Sequence, residues 1–154
     1  MEKFNFKSQI ATDKVQSERL LALGLKKETA DCSLNNYSLK GKGYQDDWQV
    51  GTTPYSDCLE SWSAFAKDSC WELIPAWSLH RMWELICNRK KYESKEGDEY
   101  PKIYLNDDCV IVENPKSIWA RHNFCSLRGV YENVINCIEW LIKEGYFNKE
   151  YLEE

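Results

Sequence analysis

One stretch constrains the fold more than any other. Val134, Cys137, Ile138, Leu141 and Ile142 recur at spacings of three and four residues. That is the period of one helix face, and it predicts a helix over residues 131–144 with an apolar side to bury. Gly145 follows, at the place where a left-handed residue closes a helix. Such a stripe needs a partner layer, and the chain offers one upstream. Lys102-Ile103-Tyr104-Leu105 and Cys109-Val110-Ile111-Val112 flank Asn106-Asp107-Asp108, the pattern of an antiparallel hairpin. Residues 118–124 alternate well enough for a third strand. The expectation is an α+β fold: a small antiparallel sheet of three or more strands packed with two to three helices.

The other elements follow from local signals. Thr12-Asp13 reads as a helix start, with Thr12 as the cap and an acidic residue at the positive end of the dipole. That helix runs to Leu23; Gly24 supplies the left-handed residue and Leu25 folds back on the last turn. Ser78 caps a second helix to residue 88, with Leu79, Met82, Trp83, Leu85 and Ile86 as its apolar stripe. Residues 33–57 are rich in Ser, Asn, Gly, Asp and Thr. They read as a long irregular segment with one or two short strands, a length often tied to function. Residues 58–74 are ambiguous between helix and strand, and Pro75 reads as punctuation. Residues 89–99 form a charged, solvated loop. At 154 residues the whole chain, 1–154, is expected to be a single domain.

Charge and cysteine usage narrow the function classes. The formal net charge is -5, and the one dense basic run, Arg89-Lys90-Lys91, is followed by acidic residues. A nucleic-acid polymer is therefore a disfavoured partner. No apolar run approaches the roughly 20 residues that span a bilayer, and the N-terminal residues lack a signal-peptide core. No membrane association and a cytoplasmic location are expected. The seven cysteines contain no C-x-x-C pair, and their number is odd. They are read as free, mostly buried thiols, with Cys87 and Cys137 on apolar helix faces; a zinc site built from distant cysteines is the alternative.

Few residues suggest catalysis. Only His80 and His122 are available as general bases, and nothing in their spacing brings them together. His122 and Cys125 are three apart, which on a strand points them to opposite faces. Gly41-Lys42-Gly43 is too short for a phosphate loop, and the carboxylate pairs Asp46-Asp47 and Asp107-Asp108 read as turns. No catalytic residue, metal ligand or cofactor is assigned. The remaining material is aromatic and cationic. Trp77, His80 and Arg81 lie where a helix begins, and helix starts favour anions. Trp119, Arg121 and Asn123 share one strand face, with His122 between them. Tyr44 and Trp48 stand in the irregular segment. Together Trp77, His80, Arg81, Trp119, Arg121, His122, Trp48 and Tyr44 are the candidate ligand-binding residues, suited to a planar, anionic molecule.

Three stretches carry a resemblance. They are Leu20-Leu21-Ala22-Leu23-Gly24-Leu25 with Glu28-Thr29-Ala30-Asp31, then Ile74-Pro75-Ala76-Trp77-Ser78-Leu79 with Leu85, then Cys137-Ile138-Glu139-Trp140-Leu141-Ile142-Lys143-Glu144-Gly145. In that order they resemble a group of small proteins of gut Bacteroidales genomes, prophages and mobile elements to which no activity is attached. The chain departs from them in a Cys- and Trp-rich middle segment and in His80, Arg81 and Trp83. What the resemblance implies is a role: a phage or mobile-element accessory protein, acting by sequestration or blocking and suited to anti-defence. The expected function is thus non-enzymatic binding of a nucleotide-like small molecule through an aromatic and Arg pocket. A blocker of a host protein and a small nucleotide hydrolase or thiol enzyme are the alternatives. Homo-oligomerisation is left open.

Overall fold

The structure is a computed structural model, and it describes residues 8–37, 48–62, 71–88, 101–113 and 121–154. Among them are helices α1 (Lys14–Ala22), α2 (Tyr55–Trp62), α3 (Leu79–Cys87) and α4 (Val130–Lys143). The strands are β1 (Cys32–Tyr37), β2 (Trp48–Gly51), β3 (Trp71–Ala76), β4 (Lys102–Asn106), β5 (Cys109–Glu113) and β6 (Arg121–Phe124). They make two antiparallel three-stranded sheets, ordered β2-β1-β3 and β4-β5-β6. The fold is α+β as expected, with two sheets in place of one and a fourth helix, α2, which starts inside the segment read as irregular and runs into the ambiguous stretch. The charged loop, residues 89–99, lies outside the described residues.

Both predicted glycine closures are present, and each has the same hydrogen-bond pattern. After α4, Gly145 takes a φ of 76°. Its N–H donates to the Ile142 carbonyl, and that of Tyr146 donates to Leu141. After α1, Gly24 takes a φ of 93°; its N–H donates to Leu21 and that of Leu25 to Leu20. The apolar contact that accompanies this motif is visible too, since Leu20 and Leu25 are both fully buried. The start of α1 sits one residue later than expected. Asp13, not Thr12, is the cap, in a reciprocal box with Gln16. Thr12 is engaged elsewhere: its hydroxyl pairs with Ser17 and accepts the Trp77 N–H.

The main core is built on the predicted stripe of α4. Val134, Ile135, Cys137, Ile138 and Leu141 pack with Leu20, Met82, Leu85, Ile86, Val110, Val112 and Trp77. A polar seam joins α1 to the outer side of α4. Arg19 donates to Glu132, Asn136 and Glu139, and Gln16 also donates to Glu132. A second, smaller cluster lies on one face of the first sheet: Cys32, Leu34 and Ala76 with Ala11, flanked by Trp48 and Ile74. The chain passes from one cluster to the other between Ala76 and Trp77. Pro75 does not end β3, contrary to its reading as punctuation. β3 is an edge strand, where a missing N–H is tolerated.

Cysteine placement corrects two expectations. Cys109 and Cys125 are disulfide-bonded. The β5–β6 register explains the pairing: Val110 faces Phe124, so the residues just outside that pair meet at the strand ends. Cys87 is exposed, because it lies at the end of α3 beyond the buried stripe. Cys32, Cys58 and Cys137 are buried thiols.

Candidate functional site

The candidate residues fall into separate places. Trp77 is fully buried, and its indole N–H donates to the Thr29 hydroxyl at 2.9 Å. Its ring belongs to the core, so it has no face for a ligand to stack on. His80 beyond it is exposed and Arg81 half-buried, and both pair with Glu84. The anion expected at this helix start is provided by the chain itself. Asp31 accepts from both the N–H and the hydroxyl of Ser78, whose hydroxyl oxygen accepts the Arg81 N–H. A carboxylate thus already sits beside the positive end of α3.

The strand face proposed for Trp119, Arg121 and Asn123 is reproduced for the last two, which are exposed. Trp119 and Tyr44 lie outside the described residues. Arg121 meets a different ring from the one expected. Its guanidinium donates to the Tyr104 hydroxyl, which donates in turn to Glu113. His122 points the other way, as alternation requires. It shares the inner face with Ile103 and Val112 and lies 4.9 Å from the Trp140 ring, which stacks on Tyr146 at 5.8 Å. Among the described residues, no hydrogen bond, ion pair or ring contact joins His80 to His122. The pairing of His122 with Cys125 as a nucleophile is also set aside, since that sulfur is bonded to Cys109.

Trp48 is different, because it lines an open groove. The register sets Val50 opposite Leu34 and Trp48 opposite Asn36, so all four share one sheet face. Residues 8–11 run along that face and are pinned there. The Gln9 side chain donates to Gln16 and to the Ala11 carbonyl, and the Gln9 carbonyl accepts the Tyr131 hydroxyl. Between the two walls lies a volume of about 300 Å³, lined by Ile10, Leu34, Trp48 and Val50 with Asp13 and Lys14 at its rim. That volume is at the lower end of small-molecule sites, about 300–1,000 Å³. Ile10 is 61% exposed and Val50 41%. The Lys14 ammonium stands 5.2 Å from the centre of the Trp48 ring. The indole Nε1 of Trp48 is buried and meets no hydrogen-bond partner among the described residues.

Sequence reasoning reached Trp48 and missed the rest of the groove. The alternation Trp48-Gln49-Val50 before Gly51 was a usable strand signal. Ile10 and Lys14 carried no local signal, because only the tertiary fold brings residues 8–14 beside β2.

Burial pushes the Cys32 thiol above its ordinary value of 9.0, with the Asp31 carboxylate adding to the effect. The raised value makes this thiol a poor nucleophile. In native protein treated with a maleimide, Cys87 is expected to react within minutes. Cys32, Cys58 and Cys137 should stay unlabelled until denaturant is added. Peptide mapping checks this, and rapid labelling of Cys32 in the folded chain would contradict its burial.

Among the described residues there is no group of three His, Cys, Asp or Glu that could hold a metal ion, and no helix is long and apolar enough to cross a membrane. Comparison with known proteins adds no relative: no protein family, curated protein or solved structure matches the chain.

Proposed function

We propose that the chain acts by binding, and that the groove at Trp48 holds a planar, anionic small molecule of nucleotide type. The observation that carries this reading is the state of the Trp48 indole. Its ring lines a groove open to solvent, with the Lys14 ammonium 5.2 Å from its centre. The ring supplies a stacking surface, and Lys14 supplies charge for a phosphate. Arg81 and Arg121, the cations first considered, are held by Glu84 and Tyr104. In the phage or mobile-element setting that the resemblance implies, such binding withdraws a host signal molecule without converting it.

Native mass spectrometry after incubation with deproteinised host lysate identifies the ligand as an added mass. Calorimetric titration of that compound then tests the groove. Stacking of a base on an aromatic side chain contributes about 1–3 kcal/mol. Trp48→Ala is therefore expected to weaken binding by about tenfold or more, and Lys14→Gln to weaken the phosphorylated compound more than its nucleoside. Unchanged affinity in Trp48→Ala would remove the ligand from this groove.

A second reading rests on Ile10 and Val50, exposed apolar side chains on either side of Trp48. Exposed apolar side chains that adjoin one another mark protein interaction sites, and Trp is a common anchor in them. The groove then blocks a host protein, and the mass spectrum shows no small ligand. Here Ile10→Asp and Val50→Asp should each abolish capture of a partner that the unchanged chain retains from whole lysate.

A further inference from the structure

We propose that Cys109 and Cys125 are a reversible dithiol–disulfide pair, a redox device on the outer rim of the second sheet. The pair is placed by backbone contacts that do not depend on the sulfur bond. Cys109 opens β5 and Cys125 follows β6, with their Cα atoms 4.6 Å apart. The ladder from Val110–Phe124 to Glu113–Arg121 holds the two strands together. Asn133 in α4 clamps the residues next to both cysteines. Its side-chain amide donates to the carbonyls of Asp108 and Ser126, and its side-chain oxygen accepts the Ser126 N–H at 2.6 Å. When the sulfur bond opens, these contacts keep the thiols face to face. Closure is then a reaction between neighbours, favoured by a high effective concentration.

Access is the second requirement, and the pair meets it. Cys125 is exposed and Cys109 half-buried, whereas Cys32, Cys58 and Cys137 lie inside. An attacking thiol therefore reaches Cys125 first. The oxidant is a low-molecular-weight disulfide. The Cys125 thiolate attacks one of its sulfurs, breaking that bond and releasing one small thiolate. The Cys109 thiolate then attacks the Cys125 sulfur of the mixed disulfide and releases the second. Two electrons pass from the cysteines to the small disulfide, and the two protons end on the released thiols. Reduction is the same sequence reversed. The bond closes a ring over residues 109–125 that contains β6, so its state controls how freely that edge strand opens.

The test uses the full chain in buffers of graded reduced and oxidised glutathione, quenched with acid, alkylated and read by peptide mass spectrometry. The expected result is a full, reversible transition of the pair while circular dichroism shows the native fold. In Cys109→Ser the exchange should stop halfway, leaving glutathione on Cys125; in Cys125→Ser far less glutathione should be retained on Cys109. Two results would overturn the proposal. One is a pair that stays reduced at every ratio. The other is a bond that yields only after the protein is unfolded, which makes it a permanent staple.

Discussion

Trp77→Ala is expected to lower the stability of the domain by about 3–5 kcal/mol, the range for removing a large aromatic from a packed core. The indole is fully buried and sits where the two hydrophobic clusters meet. Its backbone closes a pair of hydrogen bonds with Thr12, and its ring nitrogen donates to Thr29. Truncation leaves the backbone pair intact and opens a cavity below it. It leaves no buried hydroxyl stranded, because Thr29 still donates to the Lys26 carbonyl. The loss is therefore mainly one of packing. Trp77→Phe should cost less, since most of the volume remains and one hydrogen bond is lost. Domains of this size are stable by about 5–15 kcal/mol, so the alanine variant gives up a large share of its stability. Urea unfolding reads both values. A loss under about 1 kcal/mol for Trp77→Ala would mean that the ring is not core, and would restore it as a surface for a ligand.

The contrast between Trp77 and Trp48 shows where local reading stops. Trp48 lies among polar and charged neighbours in the chain and Trp77 among mostly apolar ones, yet both were candidate ligand-binding residues. What separates them is the environment brought by distant residues: Thr12 and Thr29 around one, residues 8–14 beside the other. Features set by a few adjacent residues were legible. The α4 stripe, the Ser78 cap, the β4–β5 hairpin and the closures at Gly24 and Gly145 all depend on neighbours within a turn or two. The pairing of β1 with β3 was not legible, because it joins segments far apart and runs through Pro75, which reads as a break. The cysteine pair was half legible. The hairpin was expected, but its continuation through β6 sets the register, and only the register brings Cys109 to Cys125. The groove was the least legible feature, since its two walls share no sequence signal.

Asn133→Leu should cost about 2–4 kcal/mol, although it exchanges one buried side chain for another of similar size. Asn133 is 1% exposed and lies in the first turn of α4, among residues that face the core. Its side-chain amide meets both the Asp108 carbonyl and the Ser126 N–H. Leucine fills the space and leaves both groups without that partner. Asp108 is exposed and Ser126 half-buried, so the loss is that of three hydrogen bonds at about 0.5–1.5 kcal/mol each, which outweighs the gain from the added apolar surface. Asn133→Asp separates the two halves of the clamp. A carboxylate still accepts the Ser126 N–H, but it opposes the Asp108 carbonyl. Folding therefore favours the protonated acid and raises its pKa above the unfolded value of about 3.9. The variant should be destabilised at pH 7 and recover, relative to the unchanged chain, as the pH falls towards 4. Urea unfolding at the two pH values measures the difference. A penalty independent of pH would show that the amide donor plays no part. In that case the turn at Asp108 is held by the β4–β5 ladder, and the cysteine pair loses the clamp that keeps its thiols together.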